Sequence, residues 1–91
     1  MAELTDNRSQ ARFEMPVEGH VAFVTYRRDD GAVISLNHAE VPRALEGKGI
    51  GSRLVRATLD QVRSEGLKVI PRCSFVRAFI ERHSEYADLV A

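Results

Sequence analysis

From Glu46 to Ser52 the chain reads Glu-Gly-Lys-Gly-Ile-Gly-Ser, with glycine at every second position and a lysine between the first two. Glycine lets a backbone approach a ligand without a Cβ in the way and takes φ angles that other residues avoid. The residues that follow have a helical period, so the loop opens directly into a helix. The first N–H groups of that helix lack intrahelical partners and lie at the positive end of its dipole. Gly47, Lys48, Gly49, Ile50, Gly51 and Ser52 therefore make an expected anion site, with phosphate as the anion. A dinucleotide fingerprint needs G-x-G-x-x-G and a larger sheet, whereas the spacing here is G-x-G-x-G in 91 residues. A Walker loop needs Gly-Lys followed at once by Ser or Thr, and Lys48 is followed by Gly49. Another cofactor's phosphate loop and a plain glycine-rich turn before a helix both remain.

Three further residues have chemistry in reach. Cys73 follows Arg72 at the start of the last expected helix, where dipole and guanidinium both favour thiolate. Its alternative role is that of a small packing residue. His38 and Glu40 are two residues apart near a strand end and share a face if the strand is regular; a β-bulge would change that parity. An imidazole suits proton transfer near neutral pH. His20, His38 and His83 fall on separate elements without i, i+4 or C-x-x-C spacing, so no metal site is expected.

The elements that must hold these residues follow from the pattern. Met1 to Asn7 is polar and reads as a loose lead-in, and residues 8–91 as one domain. From Arg8 the apolar residues Ala11, Phe13 and Met15 alternate with polar ones, a half-buried strand ended by Pro16 and a Glu18-Gly19 turn. His20–Arg28 is a second strand, Asp29-Asp30-Gly31 a hairpin turn, and Ala32 to Val41 a third strand. Ile50, Leu54, Val55, Thr58, Leu59 and Val62 form the apolar stripe of a helix over residues 49–65, closed by Gly66 as a left-handed cap. Leu67–Pro71 is a fourth strand, reached by a right-handed crossover. Ser74 caps a last helix carrying Phe75, Val76, Phe79, Ile80 and His83, and the tail from Ser84 adds a turn. The expectation is an α+β fold: a small mixed, mainly antiparallel four-stranded sheet with two helices.

Composition excludes several partners. Thirteen Lys and Arg balance thirteen Asp and Glu, so no global field draws in nucleic acid or an anionic membrane. No apolar run approaches a membrane span, and the first residues lack the basic and apolar regions of a signal peptide. The single cysteine cannot form an internal disulfide, which fits the cytoplasm.

The loop Glu46-Gly47-Lys48-Gly49-Ile50-Gly51, with His38-x-Glu40-Val41-Pro42, Gly66-Leu67-Lys68-Val69, Cys73-Ser74-Phe75 and His83-x-Glu85-Tyr86, resembles the GNAT superfamily of N-acetyltransferases, and within it a minimal single-domain subgroup of about 90 residues. The resemblance implies acetyl-CoA or CoA as cofactor, its pyrophosphate on the loop, with Val41, Arg43, Cys73 and Phe79 as further contacts. It implies a thioester bound where the third and fourth strands splay, and an amine acceptor whose identity is open. Glu40 resembles the general base of some members. Cys73 matches a cysteine considered there as acyl acceptor or nearby acid, and Tyr86 a tyrosine that protonates the departing thiolate. One departure stands out: Glu46 occupies a position that is usually Gln or Arg, and its charge opposes a pyrophosphate, screened by Arg43, Lys48 and Arg53. The implied function is N-acetyl transfer by a monomer or weak homodimer. The alternative is a module of the same fold that binds acyl-CoA or a protein without turnover.

Overall fold

The structure is a computed structural model and describes residues 4–29 and 31–91. Its elements are β1 (Thr5–Asn7), β2 (Arg12–Val17), β3 (His20–Arg28), β4 (Val33–Glu40), α1 (Ile50–Ser64), β5 (Lys68–Pro71) and α2 (Ser74–Arg82), with 3-10 turns at Arg43–Leu45 and Ser84–Leu89. The strands lie side by side in chain order, antiparallel from β1 to β4 and parallel between β4 and β5. The mixed α+β architecture is as expected, but the sheet has five strands rather than four.

The additional strand is part of the expected lead-in. Thr5, Asp6 and Asn7 pair with Glu14, Phe13 and Arg12; Met1, Ala2 and Glu3 lie outside the described residues. Three polar residues carry no alternation that marks a strand. Side chains hold them instead: the Tyr26 hydroxyl donates to Asp6, Arg28 Nη2 lies 2.9 Å from Asp6 Oδ2, and Asn7 Nδ2 donates to Glu14 Oε2 at 3.0 Å. A second correction concerns Pro16, which does not end β2. The strand continues to Val17 with Pro16 opposite Val21, past the last residue that β1 pairs, where a missing N–H is tolerated. Glu18 and Gly19, with φ of 51° and 80°, then make the two-residue turn into β3. Asp30, in the next expected turn, lies outside the described residues.

One core joins the elements. Phe13, Val24, Ile34, Leu36 and Val69 face it from the sheet, and the expected stripe of α1 is buried throughout. Val76, Phe79 and Ile80 of α2 enter the same cluster, so both helices cover one face of the sheet. Thr58 is buried without penalty because its hydroxyl donates to the Leu54 carbonyl at 2.8 Å. Gly66 (φ 71°) closes α1: its N–H donates to Arg63 O and that of Leu67 to Val62 O, a Schellman pair.

The pairing of β3 with β4 contains a bulge. Tyr26 pairs with Leu36 but Thr25 with His38, which leaves Asn37 as the extra residue. In a regular strand His38 would follow Leu36 into the core. The bulge instead puts Ala39, opposite Val24, on the core side and sends His38 and Glu40, opposite Thr25 and Phe23, to the helix-free face.

Arg28 ties the sheet edge to α1, reaching Glu65 Oε1 at 3.1 Å as well as Asp6. The Gln61 amide first, and Arg28 after it, hold the Glu65 carboxyl below its ordinary 4.5. A carboxyl that is more acidic folded than unfolded contributes fully above the unfolded value, and that contribution is lost as pH falls through the folded one. Stability should therefore decline below about pH 4.5, and Glu65→Gln should flatten that part of the profile, as read from urea midpoints between pH 6 and pH 3. An unchanged acid limb in the variant would remove Glu65 from the account.

Candidate functional site

The glycine loop reaches α1 as the sequence implies. Gly47 and Gly49 take φ of 82° and 72°, and Gly49 is the N-cap of α1 with no side-chain cap. The helix's first bond runs from the Arg53 N–H to Gly49 O at 3.2 Å. Among the described residues, the N–H groups from Gly47 to Ser52 have no backbone acceptor. All of these residues but Lys48 border a cavity of about 340 Å³, lined also by the apolar side chains of Val41, Leu45 and Phe75. A Cβ at Gly51 would stand 2.9 Å from Phe75 Cζ, so a side chain there would displace the tip of that ring. Glu46 also lines the cavity. Arg43 and Lys48 do not; Lys48 Nζ lies 2.8 Å from Glu18 Oε1 on the β2–β3 turn.

Beside the loop the sheet opens. The parallel pairs of β4 and β5 stop at Leu36 with Pro71, and the N–H groups of both Arg72 and Cys73 turn to the Leu36 carbonyl at 3.0 Å. Since β4 continues to Glu40, its last residues have no strand on that side. The bulge precedes His38 and Glu40, so the two stay on one face, with His38 Nε2 3.3 Å from Glu40 Oε1. Both side chains are more than half exposed, at 60% and 57%. Cys73 is half-buried against the core on the other flank of the opening. It, and not Ser74, is the N-cap of α2, and it makes no side-chain cap bond.

Two expected residues lie elsewhere. Tyr86 is buried against the flank of α1, its hydroxyl donating to Asp60 Oδ1 at 2.7 Å and accepting from Arg56 Nη1 at 3.3 Å. Burial first, and the Asp60 bond second, raise its ordinary value of 10.0, so that proton is held for Asp60. Phe79 is buried and stacks on His83 with ring centroids 4.0 Å apart. It borders a second cavity of about 120 Å³, which shares Ser52 and Phe75 with the first. Sequence reasoning gave Phe75 to the core; at 47% exposure it is the wall between the cavities. Its i, i+4 spacing to Phe79 puts it at the edge of the apolar stripe, so the sequence carried no signal that it would be exposed.

A mixed sheet whose parallel strands part beside a glycine loop at a helix N-terminus is the frame of an acyltransferase. The chain belongs to the GCN5-related N-acetyl-transferase family, whose model matches residues 12–89. Among curated proteins it is similar to Protein NATD1 of Gallus gallus, 28% identical over 83 residues that cover 89% of this chain and 76% of that one. Protein NATD1 of Mus musculus is 29% identical over 79 residues, covering 85% and 72%. Among solved structures, the solution structure of a Staphylococcus aureus protein described as GCN5-like aligns with a TM-score of 0.72 at 30% identity, over 98% of this chain and 87% of that one.

The positive φ of Gly49 gives a test of the loop itself. A Cβ there would meet nothing within 4 Å, so the cost of a side chain is backbone strain alone. Gly49→Ala should lose about 1 kcal/mol, and Gly49→Asn less, because Asn tolerates the left-handed region. Equal losses by urea denaturation would contradict that conformation.

Proposed function

We propose that the chain binds acetyl-CoA and transfers its acetyl group to an amine, in the reducing cytoplasm that a lone thiol suits. The observation that carries the proposal is the run of uncommitted N–H groups from Gly47 to Ser52, which borders an apolar-sided cavity next to the parting of β4 and β5. Those amides and the α1 dipole suit a pyrophosphate, and Val41, Leu45 and Phe75 suit the arm leading away from it. An amine attacks a thioester only after losing its proton. Glu40 is the assigned base, with His38 beside it as partner. Nitrogen then bonds to the acetyl carbon, the carbon–sulfur bond breaks, and the thiolate leaves. Cys73 borders the opening and is assigned to packing or to local proton donation, in preference to an acyl-enzyme. Tyr86 is the weaker donor, its hydroxyl being bound to Asp60.

The bulge at Asn37 gives this reading its geometry. The cavity adjoins the helices, and Glu40 faces the helix-free side, so cofactor and acceptor approach from opposite faces. The open surface around Glu40 suits an amine carried on a protein or peptide. The same exposure also favours the second reading, a CoA-binding module without turnover.

Calorimetry with acetyl-CoA, CoA and desulfo-CoA tests the binding step. Gly49→Val should weaken all three by blocking backbone approach to the ligand. Because a φ of 72° strains a β-branched residue, circular dichroism must show the fold intact, and unchanged affinity in that variant would overturn the loop assignment. For chemistry, Glu40→Gln should lower turnover at neutral pH by about 100-fold or more, the lower end for a general base, with CoA affinity unchanged. Cys73→Ala should keep most activity; an inactive Cys73→Ala, with an acetyl on Cys73 that passes to an amine at the turnover rate, would establish the acyl-enzyme instead. Tight CoA binding with no amine acetylated would favour the module.

Glu46 supplies a separate expectation. Glu46→Arg should tighten CoA binding, and the gain should shrink as salt rises. A gain insensitive to salt would point to a change in loop conformation.

A further inference from the structure

The helix-free face of the sheet carries a row of side chains that the cofactor does not use. Phe23 of β3 lies between two glutamates, directly opposite Glu14 of β2 on one side and Glu40 of β4 on the other. Glu14 is already occupied. Arg12, from the Thr25 position of the register, sets its guanidinium against the Glu14 carboxylate and over the Phe23 ring, 4.3 Å from the centroid. Asn7 donates to the same carboxylate at 3.0 Å. Glu40 has no such cation: its one ion-pair partner among the described residues is His38, and its side chain is 57% exposed. On the side of Phe23 away from the Thr25 row the face continues as Val21, 40% exposed, with Pro16 opposite it and also exposed.

We infer that Phe23 and Val21 form the rail on which the acceptor docks, and that the acceptor is a lysine side chain of a peptide or protein whose ammonium is held by Glu40. The inference rests on the transferase reading. Arg12 shows the arrangement within the chain itself: a long side chain whose cationic head meets a ring face and a carboxylate together. The row repeats that ring and carboxylate on its other side without supplying a cation, so an incoming ammonium completes it. Direction follows from the strand order. Glu40 lies between Phe23 and the opening where β4 and β5 part, so an amine resting on the rail is delivered past the carboxylate to the opening. There Glu40 takes one proton from the ammonium, nitrogen bonds to the acetyl carbon, the carbon–sulfur bond breaks, and the nitrogen's second proton goes to the departing thiolate. The rail also separates two kinds of amine. Neighbours on one face of a strand lie about 7 Å apart, so the apolar length from Phe23 to Val21 covers the methylenes of a lysine stem. An α-amine would bring its first peptide group onto the same apolar side chains, where an amide without a partner is costly.

The test gives the full chain acetyl-CoA and one of two peptides of otherwise equal sequence, with acetylated product followed by mass. One peptide has a single lysine and an acetylated N-terminus; the other has a free N-terminus and norleucine in place of the lysine. The wild-type protein should use the lysine peptide with a kcat/KM about 10-fold higher, the scale of one cation–π contact and a few covered methylenes. Phe23→Ala should raise KM for that peptide by about the same factor, with kcat and the calorimetric affinity for CoA unchanged, and Phe23→Tyr should restore it. A ring that serves the fold alone would leave KM unmoved. Val21→Lys, at an exposed position outside the core, should raise the same KM by placing an ammonium on the rail, and the rise should shrink with salt. Equal use of the two peptides, preference for the α-amine, or an unchanged KM in both Phe23→Ala and Val21→Lys would overturn the inference and leave the transferase reading standing. Acetylation of neither peptide by wild-type protein that binds acetyl-CoA would overturn both.

Discussion

The carbonyl of Leu36 is where the molecule turns from scaffold to site. It accepts the N–H groups of Arg72 and Cys73 together, which satisfies the end of β5 and starts α2 in one place. Without that carbonyl the Cys73 N–H would be left unpaired, at a cost of roughly 1–3 kcal/mol when buried, while the Arg72 N–H would keep the Ile70 carbonyl at 3.0 Å. Because this contact ends the parallel ladder, β4 runs on for four residues with β3 on one side and no strand on the other. His38 and Glu40 stand along that length and Cys73 directly across from it. One residue later the bulge at Asn37 reverses the faces of β4. The two irregularities have different effects: the first makes an opening, and the second decides which residues look out of it on the side away from the helices.

The helices occupy one face only, and this shapes the stability of a small domain. Burial is concentrated in a single layer between sheet and helices, so the other face is held by polar pairs. Arg12 lies against Glu14 and over the Phe23 ring, with its guanidinium carbon 4.3 Å from the ring centroid. Such pairs are worth little each when exposed. They keep an aromatic residue covered without building a second core. The C-terminal turn is fastened in the same manner: Arg63 bonds Asp88 and the Glu85 carbonyl, and Arg56 and Asp60 bond the Tyr86 hydroxyl. That network accounts for the burial of Tyr86 by packing and hydrogen bonding alone.

What was legible in the sequence depended on periodicity. The α1 stripe from Ile50 to Val62 was readable to the residue, because five apolar residues and Thr58 on one face have no other economical use. The Gly66 cap was readable because few residues but glycine accept that φ. β1 was not, since its pairing is carried by the side chains of Asp6 and Asn7 reaching across to Tyr26, Arg28 and Glu14, partners up to 22 residues away. The bulge was foreseeable only as a possibility: nothing in Leu36-Asn37-His38 marks which residue is extra, and the register is set by β3. The glycine loop was legible as a frame for an anion, whereas its walls were not. Phe75 and Leu45 meet the loop only after the chain has turned through a crossover.

The electrostatics of the loop follow from the same arrangement. Its one lysine is paired with Glu18, and its one carboxylate, Glu46, borders the cavity, so the side chains bring little net positive charge to an incoming phosphate. The neutral chain as a whole adds no steering. What remains are backbone N–H groups oriented by glycines and the dipole of a fifteen-residue helix, both fixed by the fold and neither able to collapse onto a surface counter-ion. Recognition of this kind depends on backbone conformation more than on charge count. It explains how a loop can carry Glu46 at an unfavourable position and still offer an anion site: the carboxylate opposes the ligand through solvent, while the amides would meet it directly.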